Sequence, residues 1–240
     1  MSGHSKWHNI QATKNKADAK RANIFTKIGR EISVAVKMGG PDPTINSRLA
    51  DVIAKARSNN MPNDNISRSI KKASGELNTV NYDSITYEGY GPGGVAFIVE
   101  CLSDNKNRTA GDVRHAFDKH GGSLGTSGSV SFMFERKAVV VIERKDGLTE
   151  DQVFEIALDA GADDVQSEDD SFVVTGEPNQ LGAIRVAFES AGINPIQSEV
   201  EMVPSNYVEP SEAQIETLNK LVDALEELDD VQTVYHNGEF

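Results

Sequence analysis

Ala138-Val139-Val140-Val141-Ile142, followed by Thr149-Glu150-Asp151-Gln152, is the stretch on which the fold turns. A short apolar run bounded by turn residues reads as a buried strand. A threonine with a glutamine three residues later can satisfy two orphan N–H groups at a helix start, so a capped helix should follow. Val153, Ile156, Ala157 and Ala160 then recur at helical spacing, and Gly161 closes the segment. Asp164 to Ser167 and Phe172 to Thr175 read as two strands around an acidic turn. Pro178 opens a second helix carrying Leu181, Ile184, Phe188 and Ala191, Gly192 ends it, and Ile196 to Val203 is a last strand. The resulting order, β-α-β-β-α-β over residues 137–203, is the ferredoxin-like split motif.

On the N-terminal side the periodicity is helical. Ile24, Ile28, Ile32 and Ala35 form one stripe, stopped by Gly39-Gly40-Pro41. Ile45, Leu49, Val52, Ile53 and Ala56 form a second; Ile66, Ile70 and Ala73 form a third, which ends at Gly75. None could bury its stripe alone, so a three-helix bundle is predicted. Residues 1–23 are polar and lysine-rich and are predicted to be a mobile arm.

Between bundle and insert, Tyr82 to Tyr90 and Val95 to Leu102 read as strands around Gly89-Tyr90-Gly91-Pro92-Gly93-Gly94. A helix is predicted over 107–119, and Val130, Phe132 and Phe134 alternate with Ser131 and Met133 as a half-buried strand would. After the insert, Ser211-Glu212-Ala213-Gln214 is a second capping box, leading to a helix through Leu218, Leu221 and Leu225 and a strand at Val231, Val234 and Tyr235. This last piece has no sheet of its own, and the segment before the insert lacks a second helix. Joining them is economical. The predicted fold is therefore α+β with three domains: the arm and bundle over 1–78, a discontinuous α/β two-layer domain over 79–136 and 204–240, and the inserted ferredoxin-like domain over 137–203.

The 240 residues are 38% hydrophobic and 25% charged, which excludes collagen-like, mucin-like and wholly disordered chains. No apolar run is long enough to cross a bilayer, and Met1-Ser2-Gly3-His4-Ser5-Lys6 has no apolar signal region. The single cysteine, Cys101, lies in a strand-like stretch and reads as a small buried hydrophobe. A reducing, cytoplasmic setting is expected.

Net charge is −13, yet it is sorted along the chain. Residues 1–75 hold 14 Lys and Arg against 5 Asp and Glu, whereas residues 146–240 hold 2 against 23. A cationic head can seek phosphate while the anionic tail is repelled by it. The candidate nucleic-acid-binding residues are Lys6, Trp7, His8, Lys14, Lys16, Lys20 and Arg21 in the arm. Lys27, Arg30, Lys55, Arg57, Arg68, Lys71 and Lys72 join them from the bundle. Each cation can displace counterions from a phosphate, and Trp7 can stack on an exposed base. Asn105, Lys106, Arg108 and Arg114 form a possible second contact near the glycine-rich stretch Gly121-Gly122-Ser123-Leu124-Gly125-Thr126-Ser127-Gly128-Ser129, which reads equally as a flexible connector.

Enzymatic signals are absent from the pattern. His4 and His8 are four apart without a cysteine or carboxylate at ligand spacing, so no metal is expected. The Gly89–Gly94 run lacks the Lys-Ser/Thr of a phosphate loop, and the carboxylates after residue 145 come in solvated runs. No nucleophile, metal box or cofactor fingerprint is present, and no catalytic residue or cofactor is predicted.

Several blocks resemble the YebC family: Gly3-His4-Ser5-Lys6-Trp7, Asp18-Ala19-Lys20-Arg21, Asn60-Met61-Pro62-Asn63-Asp64-Asn65-Ile66, Tyr87-Glu88-Gly89-Tyr90-Gly91-Pro92-Gly93-Gly94, Asp104-Asn105-Lys106-Asn107-Arg108-Thr109, Gly121-Gly122-Ser123-Leu124-Gly125 and Leu228-Asp229-Asp230-Val231-Gln232. The resemblance spans essentially the whole chain. It implies a three-domain bacterial cytoplasmic protein, a DNA-binding transcriptional regulator. Mitochondrial relatives look like translational activators, and some bacterial relatives are associated with ribosomes stalled on proline-rich stretches.

The function expected is thus a non-enzymatic nucleic-acid-binding regulator docking through its basic N-terminal domain. DNA and ribosomal RNA are both open as targets, the ribosome is a possible partner, and no membrane is involved. The cations are mostly lysines without an Arg/Asn/Gln-rich recognition helix, which favours backbone contact over base reading. The acidic insert is a possible docking surface for a basic protein.

Overall fold

The computed structural model describes residues 17–75, 80–145 and 147–240, with side chains from residue 22 onward. Three helices open it: α1 (Ala17–Gly39), α2 (Ser47–Ser58) and α3 (Asn63–Ser74). Their stripes meet in one core built on Ile28, Ile32, Leu49, Ile53 and Ile66. Asn46 ties the first two helices together. Its carboxamide accepts from Leu49 N at 3.0 Å and donates to the carbonyls of Ala35 at 2.9 Å and Gly40 at 2.8 Å. One buried side chain thereby caps the start of α2 and satisfies carbonyls at the end of α1.

α1 corrects the expected arm. Residues 17–23 are its first turns, because Ala17, Ala19, Lys20, Arg21 and Ala22 are strong helix formers that extend the helix ahead of its first apolar residue. The remainder of that arm, residues 1–16, lies outside the described residues.

β1 (Asp83–Tyr90), β2 (Ala96–Ser103), α4 (Lys106–Lys119) and β3 (Ser123–Leu124) build the first sheet, and α7 (Glu212–Glu226) and β8 (Val231–His236) complete it from the far end of the chain. The strand order is β3-β1-β2-β8, antiparallel throughout. Phe97 and Val99 of β2 and Val231 of β8 pack with Val113 and Phe117 of α4 and with Leu218, Leu221 and Leu225 of α7.

The second sheet comes from β4 (Phe134–Glu143), α5 (Glu150–Asp159), β5 (Asp164–Ser167), β6 (Ser171–Gly176), α6 (Leu181–Ser190) and β7 (Gln197–Pro204). Its order is β5-β6-β4-β7, with the core of Val140, Ile142, Phe172, Val174, Ile184 and Phe188 beneath α5 and α6. The Thr149 capping box is present: Thr149 N donates to Gln152 Oε1 at 3.1 Å, and Gln152 N donates to Thr149 Oγ1 at 3.3 Å.

Two local expectations are overturned. Val130 to Phe134 is not a strand of the first sheet: Ser131–Met133 is a single 3₁₀ turn, and β4 starts at Phe134. That strand runs unbroken across positions 136 and 137 and pairs with β7, Phe134 opposite Pro204. The first sheet takes the two-residue β3 instead. β3 lies against β1 where glycine permits close approach: a Cβ on Gly89 would come within 2.7 Å of Ser123 O, and one on Gly122 within 2.7 Å of Tyr90 O.

Candidate nucleic-acid interface

α3 presents its charge by helical geometry. Ile66 and Ala73 are buried and Ile70 half-buried, which turns Arg68, Lys71 and Lys72 to solvent on the opposite face. Lys71 and Lys72 also occupy the last turn, where the helix dipole favours cations. Arg57 is exposed in the last turn of α2, ahead of the loop that leads into α3. Among the described residues none of these four makes an ion pair, and they form the open cationic surface.

Three other predicted contacts are turned inward and leave that surface. Lys27 donates to the carbonyl of Glu226 at 2.7 Å. Lys55 lies between Glu31 and Glu199, 3.0 Å from each, with its side chain 20% exposed. Burial alone would lower its pKa, but Glu199 and Glu31 outweigh that and raise it, so Lys55 stays charged. Arg30 donates to Asp230 Oδ1 at 2.6 Å and to Leu102 O at 2.9 Å, and its guanidinium lies over the Tyr82 ring. The physical reason is shared: carboxylates and carbonyls remote in sequence pack against the inner side of the bundle and consume these cations. Arg185 of α6 adds a reciprocal tie, 2.7 Å from Asp51 of α2.

Asp230 is the centre of the tightest cluster. Besides Arg30 it accepts from Arg108 Nη2 at 2.8 Å, Thr109 Oγ1 at 2.6 Å and Ser103 Oγ at 3.0 Å. Burial works against its charge, but the hydrogen bonds from Thr109, Arg108, Arg30 and Ser103 outweigh it and hold the carboxyl well below the usual range.

Two family models match the chain: the TACO1/YebC N-terminal domain over residues 5–76 and the TACO1/YebC second and third domain over residues 82–238. A "probable transcriptional regulatory protein" of Clostridium botulinum (strain Okra / Type B1) is 60% identical over 240 residues, covering 100% of this chain and 98% of the relative. One of the same name from Acetivibrio thermocellus is 56% identical, covering 99% of this chain and 98% of the relative. The crystal structure of a conserved hypothetical protein from Aquifex aeolicus superposes with a TM-score of 0.82 at 42% identity, covering 92% of this chain and 91% of that one. The chain belongs to the YebC family.

Two of the YebC-like blocks meet in space. Asp104–Thr109 supplies Arg108 and Thr109, and Leu228–Gln232 supplies the Asp230 they hold. Arg108 also pairs with Asp104 at 2.8 Å, and Lys106 with Asp83 at 3.2 Å. Asn105 caps α4, accepting from Arg108 N at 3.2 Å. Of the possible second contact, therefore, Arg114 is the member that is exposed and without an ion pair among the described residues. In the arm, Lys6, Trp7, His8, Lys14 and Lys16 lie outside the described residues, and Lys20 and Arg21 fall on α1 without described side chains. Cys101 is buried, and desolvation, reinforced by Asp230, pushes its thiol up to about 12.

The glycine-rich stretch after α4 is no loose connector. Glu88 of β1, a buried residue, accepts from the backbone N–H groups of Gly128, Val130 and Ser131, each at 2.8 Å. Sequence reading gave Glu88 and Asp230 no role, since their partners lie some 40 to 200 positions away. Among the described residues no group of three or more His, Cys, Asp or Glu side chains could hold a metal, and no helix is long and apolar enough to cross a membrane.

Proposed function

We propose that this YebC-family regulator is a non-enzymatic nucleic-acid-binding protein of the cytoplasm that docks through the open face of its helical unit, led by Arg68, Lys71 and Lys72 with Arg57. The observation that carries the reading is the survival of these four exposed cations in a chain of net charge −13, after Lys27, Arg30 and Lys55 have been used internally. Four point charges on two short helices suit phosphates, and the basic arm adds Lys6, Lys14 and Lys16 to the same electrostatic set. The helical core and the two sheet cores support a three-domain reading, with the acidic ferredoxin-like unit as the insert.

The relatives' name points to promoter DNA and the control of transcription. A second reading, ribosomal RNA and relief of stalling at proline-rich stretches, is favoured by the contact chemistry: α3 offers lysines and an arginine to a backbone rather than a run of Asn, Gln and Arg to base edges. Duplex DNA carrying the protein's own promoter, compared with a scrambled duplex at physiological salt, tests the first. A ratio above about a thousand supports transcriptional control, and a ratio near one with co-sedimentation on ribosomes supports the second. Absence of binding to either polymer sinks both.

A further inference from the structure

Phe132 is 75% exposed, and the chain on both sides of it is anchored. On one side Glu88 fixes Gly128, Val130 and Ser131 through three N–H groups, Tyr90 Oη donates to Ser129 O at 3.2 Å, and Val130 is fully buried. On the other side Met133 N donates to Val130 O at 2.9 Å, Met133 O accepts from Ser205 N at 2.8 Å, and Phe134 is buried. The backbone is thus fixed by partners outside the turn, and the ring is held in water by construction. Holding an aromatic in place before a ligand arrives removes the ordering cost that a floppy side chain would incur on binding.

We infer that Phe132 is a stacking platform for an unpaired nucleobase. Its surroundings choose between occupants. Residues 119–134 contain no carboxylate at all in a strongly acidic chain, and they begin with Lys119 and His120. Glu88, whose carboxylate reaches into the segment, is turned inward and bonded to N–H groups, and the exposed Glu135 just beyond the segment pairs with Lys137 at 3.4 Å. Val130 and Phe134 on either side are buried, so Phe132 is the one exposed large hydrophobic side chain of residues 119–134 and not part of the contiguous apolar patch that a protein interface core requires. A single exposed ring on an anchored turn, in a stretch of serines and threonine without a carboxylate, matches the stacking mode by which single strands and splayed loops are bound. The adjoining Ser205–Tyr207 segment brings a second exposed aromatic, Tyr207, at 58%.

This inference rests on the nucleic-acid reading above and specifies the form of the ligand. The test uses the full chain, a 12-nucleotide oligouridylate and a duplex of the same length, with fluorescence anisotropy at fixed salt. Phe132→Ala and Phe132→Leu should weaken single-strand binding about tenfold and leave duplex binding within twofold, while Phe132→Tyr restores the wild-type value. Leucine separates stacking from mere apolar contact, and an exposed position leaves folding intact. Unchanged single-strand affinity in Phe132→Ala, with Arg68→Glu/Lys71→Glu/Lys72→Glu weakened, overturns the platform and spares the reading. Wild-type protein that binds neither oligonucleotide overturns both. A concentration-dependent dimer that Phe132→Ala abolishes, with affinity for the single strand intact, makes the ring a contact between copies and also overturns the platform.

Discussion

Arg30 of α1 and Asp230 at the head of β8 stand 2.6 Å apart although 200 positions separate them in the chain. The guanidinium side chain is 14% exposed and the carboxylate side chain 8%, so the pair latches the helical unit to the end of the first sheet out of reach of most solvent. Charge that is segregated in sequence is therefore not wholly segregated in space. Part of the basic head is neutralised by the acidic tail, and Arg57, Arg68, Lys71 and Lys72 are left exposed without an ion pair among the described residues.

Removing the carboxylate leaves two guanidinium groups without their shared acceptor. Asp230→Ala should lower unfolding free energy by about 3 kcal/mol, the low end for breaking a buried pair because Arg108 still reaches water. Chemical denaturation measures it. Asp230→Asn, which keeps the shape and one acceptor, should cost less.

Acid should weaken the same latch. The folded pKa of Asp230 lies below its unfolded value, so its contribution is complete above about pH 4 and is lost as pH falls toward the folded value. Glu88 behaves alike: burial would raise its pKa, but the Gly128, Val130 and Ser131 N–H groups outweigh that and lower it. Stability of the wild type should therefore fall more steeply below pH 4 than that of Asp230→Asn. Parallel acid limbs would contradict the assignment.

Lys55 and Arg57 should separate stability from binding. Lys55→Met strands Glu31 and Glu199 together and should cost about 2 kcal/mol, moderated by their partial exposure, with nucleic-acid affinity nearly unchanged. Arg57→Met should do the opposite, weakening binding while stability stays within about 0.5 kcal/mol, as at other exposed positions. Denaturation and anisotropy on the two variants give the comparison.

Glu88→Gln should loosen the turn that carries Phe132. The carboxamide keeps one acceptor but sets its own NH₂ against backbone donors, so a loss of about 1–3 kcal/mol is expected. Hydrogen exchange should speed up at Gly128, Val130 and Ser131 while the amides of β2 stay protected. Unchanged exchange at those three amides would refute the anchoring role.

Local chemistry was legible wherever its cause lay nearby. The stripes of α2 and α3, the Thr149 box and the β-α-β-β-α-β order depend on residues within a turn or two of one another, and they appear as read except for Ile45, which precedes α2 and is exposed. Val130, Phe132 and Phe134 misled because their period of two imitates a strand, whereas Glu88, far upstream, holds Val130 and Ser131 in a turn. The site divided on the same principle. Arg68, Lys71 and Lys72 share an outward face that helical spacing alone defines. Lys27, Arg30 and Lys55 looked equivalent to them, and only tertiary packing brings Glu226, Asp230 and Glu199 against them.

The salt dependence of nucleic-acid binding tests the open cationic surface most directly. With about five or six phosphates neutralised, the wild-type slope of log affinity against log salt should be near −5, and Arg68→Glu/Lys71→Glu/Lys72→Glu should reduce its magnitude by about 3. A wild-type slope near zero, or one that the triple variant leaves unchanged, would contradict the docking of this face on a polyanion.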